Sequence, residues 1–333
     1  MNYAIDRRHA LARIAAFGAA GLTLRATAAP LPDGWPNKPV RLVIPSGAGA
    51  QTDIFARWVG EQLSKTFGQP FVPDNKPGAS GNLATMAVVG APADGYTLLF
   101  SAASFTIVPA ALRTDMPYDL LRDLVPVAQI GAGGLILAVT PDLPAKSVQE
   151  LFEVARKEPG KLSYGSTGIG STAHLIMASM LSQRGLQMTH VPYKSSAEVL
   201  RDLGGGVLQI GWVDSTSALG AIQAGKVRAL AQASTYRMPR LPDMPTFSEA
   251  GIPWALNGWL GLFTRAGTPL PIVRALNAEV NRITHSDEGN ARLVAMNVAN
   301  PPPTSPEQFT QMLRDDMAAW RKIAVDNHIK PES

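Results

Sequence analysis

The residues of this chain best placed to do chemistry are small, neutral and rich in hydrogen-bond donors. Ser46, Gly47, Ala48, Gly49 and Gln51 lead into Thr52 and Asp53. Ala79, Ser80 and Asn82 belong to a second such segment, residues 77–82, and Ser101 and Ser104 to a sparser third. Ser166, Thr167, Gly170, Ser171 and Thr172 lie in residues 165–172, the densest run of hydroxyls and glycines. Asp214, followed by Ser215, completes the set. Glycines let bare backbone N–H groups approach a ligand, and hydroxyls add donors without adding charge. Together such groups solvate an anion without neutralising it. Taken singly, each segment also reads as an ordinary connector, Asp214 as a plain helix N-cap and Lys194 as a solvated loop lysine. Their repetition after strand-like runs is what favours a binding site.

Covalent and metal chemistry find little support. There is no cysteine, no G-x-S-x-G elbow and no G-K-[ST] phosphate loop. His174, His190, His285 and His328 form no close pair along the chain and no metal-ligand spacing. His174, one turn into an expected helix beside Ser171 and Thr172, reads as a structural histidine. One oxidoreductase pattern needs an answer. Gly47-Ala48-Gly49-Ala50-Gln51-Thr52 matches G-x-G-x-x-G except at its last position, and Asp74 lies near where a ribose-binding acid would fall. Thr52 replaces the glycine that permits close helix–strand packing, and Pro45 interrupts the turn. No cofactor is therefore expected, and an exported nicotinamide-dependent oxidoreductase is the remote alternative.

The elements that must position these loops alternate. The β-rich run Val40, Leu42, Val43, Ile44 precedes a helical pattern of Phe55, Val59, Leu63 and Phe67. Further strand and helix patterns follow through residue 101, and a second set occupies residues 135–233. Two sets of βαβ units predict an α/β protein of two lobes, each a mainly parallel sheet flanked by helices. Lobe 1 is expected over residues 30–132 and 256–333, and lobe 2 over 133–255. Ser305-Pro306-Glu307-Gln308 reads as a capping box opening a last helix, whose Phe309, Met312, Leu313, Trp320 and Ile323 form a core-facing stripe. In open parallel sheets a ligand sits at the strand C-termini, here the crevice between lobes.

Residues 1–28 read as an export signal. Arg7 and Arg8 precede a short apolar stretch and then Ala26-Thr27-Ala28, and the arginine pair also resembles a twin-arginine signal. Cleavage near Ala28 would leave 26 basic and 25 acidic residues, so the formal +4 of the whole chain falls to +1. That balance, without any Lys/Arg run, argues against nucleic acid and anionic lipid as partners. The expected location is the periplasm.

Several motifs in order carry a family resemblance. They are Trp35-Pro36-Asn37-Lys38-Pro39-Val40-Arg41, Asn75-Lys76-Pro77-Gly78-Ala79-Ser80-Gly81-Asn82 and Ala93-Asp94-Gly95-Tyr96-Thr97-Leu98-Leu99. Further on come Tyr164-Gly165-Ser166-Thr167-Gly168, His190-Val191-Pro192-Tyr193-Lys194 and Leu241-Pro242-Asp243-Met244-Pro245-Thr246. From about residue 35 to 329 the chain resembles the Bug-type solute-binding receptors of tripartite tricarboxylate transporters. The resemblance implies a two-lobed periplasmic binding protein of type II-like, Venus-flytrap form. Such a receptor closes on a small carboxylate and delivers it to a two-component integral membrane permease. It also implies that loops 46–53, 79–82 and 166–172 hold the carboxylate, with Asp214 facing the crevice. A receptor presenting its ligand to a membrane sensor kinase is the alternative partner reading. Ser46 stands where the family has an aromatic residue, and Gln51 replaces a small one. These departures are expected to widen or re-polarise the crevice, towards a dicarboxylate or an aromatic carboxylate.

Overall fold

Leu42, Val43 and Ile44 are all fully buried on β1 (Val40–Ile44), so this strand is covered on both faces. The computed structural model describes residues 31–113 and 115–329. The segment expected to be an export signal, residues 1–28, lies outside the described residues. β1 pairs in parallel with β2 (Phe71–Asn75) and β3 (Thr97–Ala102). Beyond β3 come the antiparallel β10 (Gly258–Arg265) and then β4 (Leu124–Gly133), giving the order β2-β1-β3-β10-β4. The second sheet repeats the plan. β6 (Ser163–Ser166) lies between β7 (Thr189–Pro192) and β8 (Ile210–Asp214), followed by the antiparallel β5 (Leu135–Val139) and β9 (Arg228–Ala233). Each sheet is thus mainly parallel with one reversed strand, as the βαβ pattern implied.

Two strands of the first sheet lie outside that pattern. β4 carries Pro126, which cannot donate to a ladder, and it survives because β4 is an edge strand with a register shift opposite Pro126. β10 arrives late in sequence and closes the sheet from the other lobe. The reversed strand of each sheet is the chain entering from its neighbour. β4 runs straight into β5 through Gly134, and β9 returns to β10 after residues 234–257. A Cβ on Gly258 would stand 3.1 Å from the Gly133 carbonyl oxygen, so the crossing segments approach backbone to backbone.

The helices following β1, β2 and β3 are α1 (Gln51–Phe67), α2 (Asn82–Val89) and α3 (Ala103–Leu112). A short turn, α4 (Leu120–Asp123), leads into β4, and α5 (Val148–Lys157) follows β5. In the second lobe α6 (Thr172–Arg184), α7 (Ser196–Gly204) and α8 (Ser215–Gln223) follow β6, β7 and β8. α9 (Leu270–Thr284) and α10 (Asp287–Ala295) complete the first lobe. The last helix, α11 (Pro306–Asp326), opens with the capping box expected at Ser305 and Gln308. Its Phe309, Leu313 and Trp320 are buried, and Trp320 meets Trp254 edge to face at 5.9 Å.

Candidate ligand-binding site

The loop after β1 is held by one carboxylate. Asp53 is 2% exposed and accepts from the Gly49 amide at 2.8 Å, from Asn75 Nδ2 at 2.8 Å and from Arg57 Nε at 3.0 Å. Asn75 also donates to the Ser46 carbonyl at 2.9 Å, tying β2 to the same loop. Burial alone would raise the Asp53 pKa. The hydrogen bonds from Arg57, Gly49 and Asn75 outweigh it and hold the carboxyl below its usual range. Asp53 therefore spends its acceptors on shaping the loop. Ser46 is buried as well, its hydroxyl 2.6 Å from Thr52 Oγ1.

What the loop leaves open is backbone. The N-cap positions of α1, α2 and α3 are Ala50, Gly81 and Ala102, and none supplies a side-chain cap. The Asn82 amide at the start of α2 donates to the Ala79 carbonyl, and no side chain occupies the remaining first-turn amides of the three helices. By contrast α5, α6, α7, α8, α10 and α11 are capped by Ser147, Ser171, Ser195, Asp214, Ser286 and Ser305. α9 also lacks a side-chain cap, but it carries proline in its first turn, where one donor is missing anyway. Before α2, Gly78, Ala79, Ser80 and Gly81 all have positive φ. Ala79 at 47° and Ser80 at 52° lie where only glycine is at ease, so this turn is strained at a candidate site. A Cβ on Gly81 would lie 2.6 Å from the Phe105 carbonyl oxygen, so α3 fixes the turn. Asn82 accepts from the Tyr118 hydroxyl at 3.0 Å. Ser101 is fully buried and accepts from Thr106 at 2.6 Å, whereas Ser104 is exposed.

In the second lobe, Ser166 is fully buried at the end of β6, and Thr167 is exposed beyond it. Ser171 caps α6, accepting from the His174 amide at 3.3 Å, while Gly170 donates its own amide to His174 Nδ1 at 3.1 Å. The Thr172 hydroxyl is buried and has no hydrogen-bond partner among the described residues. Asp214 caps α8 by accepting from the Ser217 amide at 2.8 Å.

Direct bonds bring the two sets of strand ends face to face. Gln51, the first residue of α1, donates its side-chain amide to Thr216 in the first turn of α8 at 2.6 Å. Thr216 in turn donates to the Met296 carbonyl at 2.9 Å. Asn297, buried and with φ at 56°, donates to the Ser215 carbonyl at 3.2 Å and accepts from the Arg240 amide at 3.0 Å. Two grooves, of about 890 and 750 Å³, open elsewhere on the molecule, and no candidate residue lines either one.

Two parts of this arrangement were missed in the sequence. The Asp53–Arg57–Asn75 clamp had a visible signal in the i,i+4 spacing of Asp53 and Arg57. The histidines are a correction. His174 and His190 form no pair along the chain, yet their rings stack with centroids 4.1 Å apart and planes 4° apart. The stack brings His174 of α6 against His190 of β7 and joins residues sixteen positions apart.

A family profile described as the tripartite tricarboxylate transporter family receptor matches residues 55–328. The chain belongs to this family. It is a solute-binding receptor and not an enzyme, which removes the nicotinamide alternative. Protein BugT of Bordetella pertussis is 31% identical to the receptor over 300 residues, 90% of this chain and 92% of that one. A protein of Pseudomonas sp. strain P51, encoded in the tcbD-tcbE intergenic region, is 33% identical over 325 residues, 97% and 95% of the two chains. Among solved structures, R. palustris Rpa4515 with adipate superposes with a TM-score of 0.78 at 35% identity, covering 90% of this receptor and all of that chain. MatC from Rhodopseudomonas palustris with bound malate gives 0.74 at 29% identity, covering 87% and 99%. Receptors of this family are extracytoplasmic. No helix among the described residues is long and apolar enough to cross a membrane.

Proposed function

We propose that the receptor captures a small dicarboxylate between its lobes in the periplasm and delivers it to a two-component membrane permease. The observation that carries this reading is the run of three uncapped helix N-termini, α1, α2 and α3, behind parallel strands of one lobe. Aligned amides there stabilise an anion through partial charge and hydrogen bonding. The second lobe contributes hydroxyl-rich segments, Ser166–Thr172 in the first place, that meet the ligand when the lobes close. Solved relatives with adipate and with malate support a dicarboxylate over an aromatic acid.

A thermal-shift screen of mono-, di- and tricarboxylates, aromatic acids, sugars and amines tests the reading. A dicarboxylate at a thousandfold its dissociation constant should stabilise the fold by about 4 kcal/mol. Stabilisation by sugars or amines, with none by any carboxylate, would overturn it.

A further inference from the structure

Under the lobe-2 segment lies a pile of three rings. Tyr164 on β6 stacks on His190 of β7 at 4.9 Å, and His190 stacks on His174 of α6 at 4.1 Å. Each imidazole touches the candidate loop through one ring nitrogen. Gly170 donates its amide to His174 Nδ1 at 3.1 Å, and His190 Nε2 lies 2.7 Å from Ser166 Oγ.

Counting protons around the two rings gives an assignment of roles. A backbone amide only donates, so His174 Nδ1 carries a lone pair and the ring proton sits on Nε2. Ser166 Oγ receives the Gly168 amide at 3.3 Å and the Ser171 hydroxyl at 3.3 Å. Those two donors fill its lone pairs, so its own proton must be given away. The Ser166 proton has two places to go, the Gly168 carbonyl at 3.1 Å and His190 Nε2 at 2.7 Å, and we assign it to the shorter contact. His190 is then protonated on Nδ1. In this assignment both rings are neutral acceptors, and parallel stacking at this distance disfavours the doubly charged pair, because two imidazolium charges there would repel. Burial pushes both pKa values down, that of His190 to about 4 with a further contribution from His174.

We propose that His174 and His190 are positioning residues of the ligand site, paired acceptors that hold loop 166–171 in its ligand-facing form. This rests on the carboxylate-receptor reading. Protonating His174 would turn Nδ1 into a donor facing the Gly170 amide, and the equivalent change at His190 would reverse the Ser166 hydroxyl. The loop geometry therefore depends on which nitrogens carry protons, and not merely on ring volume.

The test uses substitutions that separate acceptor from ring. Asn at 174 places an oxygen near Nδ1, and Gln at 190 places one near Nε2; Phe at either position keeps a ring and removes the acceptor. Adipate and malate binding to the purified receptor is measured by calorimetry. His174→Phe and His190→Phe should weaken binding about tenfold, the scale of one positioning hydrogen bond, and His174→Asn and His190→Gln should recover most of it. The reverse order, Phe tolerated and Asn or Gln damaging, would show a packing role and overturn the proposal. Long-range proton–nitrogen spectra of ligand-free wild-type protein give a second readout, independent of ligand and of variant folding. The proton is expected on Nε2 of His174 and Nδ1 of His190, and any other pair of tautomers refutes the assignment. Should no carboxylate of the screen bind wild type while the tautomers are as expected, the carboxylate reading fails and the loop-positioning chemistry stands.

Discussion

Replacing Gln51 with alanine removes the side-chain bond that joins α1 to α8 across the crevice. Gln51 Nε2 donates to Thr216 Oγ1 at 2.6 Å, and Thr216 keeps its own donation to the Met296 carbonyl. The substitution therefore deletes one neutral hydrogen bond and leaves the threonine anchored. A bond of that kind contributes about 0.5 to 1.5 kcal/mol net, equivalent to roughly a 2- to 13-fold change in the closed-to-open ratio. Ligand that binds the closed form loses apparent affinity by the same factor when the free receptor is mostly open, chiefly through faster release. Calorimetry and stopped-flow dissociation with adipate measure both quantities, and small-angle scattering follows opening of the free protein. A double-mutant cycle with Thr216→Val isolates the pair term. Unchanged or tighter binding by Gln51→Ala, or a coupling energy near zero, would refute the reasoning. Tighter binding would place Gln51 as an obstacle in the crevice instead of a closing contact.

Two further outcomes follow from buried titratable groups. Asp53→Asn leaves the Gly49 amide and Asn75 competing for a weaker acceptor and should cost about 2 to 4 kcal/mol in urea unfolding, with Arg57 contributing little because half its side chain is exposed. Because the Asp53 pKa is depressed, its stabilisation is present above the unfolded value near 3.8 and is lost as pH falls through the folded one, a dependence Asn should lack. For His190 the order differs. A pKa lowered from 6.5 to about 4 means the unfolded chain binds more protons between those values, so stability should climb with pH across that window and climb less in His190→Phe. Equal slopes in wild type and variant would contradict the neutral assignment.

Local chemistry made much of this receptor legible. The apolar run Val40, Leu42, Val43 and Ile44 announced a strand, and Ser305 with Gln308 announced the start of α11. What stayed hidden depends on the path between lobes. β4 was masked by Pro126, whose tolerance comes from an edge position that no local pattern encodes. α3 contains Pro109 and likewise gave no clean period. The candidate loops were visible as composition, but their division of labour was not. Nothing in the sequence near Gln51 points to Thr216, and the stacking of His174 on His190 is created only when α6 lies on the sheet.

That division has an energetic consequence for uptake and release. Three uncapped helix ends contribute about 0.3 to 2 kcal/mol each towards an anion, so the first lobe alone offers about 1 to 6 kcal/mol. Micromolar capture needs about 8 kcal/mol. On the proposed function the difference would come from contacts that form when the second lobe arrives, including Gln51 on Thr216 and the loop held by the two imidazoles. A ligand on the open receptor is then weakly held by neutral donors and free to leave, whereas the closed receptor retains it. On the proposed function, opening the lobes would remove the larger share of affinity at once, so a permease that pries them apart would release a carboxylate without having to break a salt bridge.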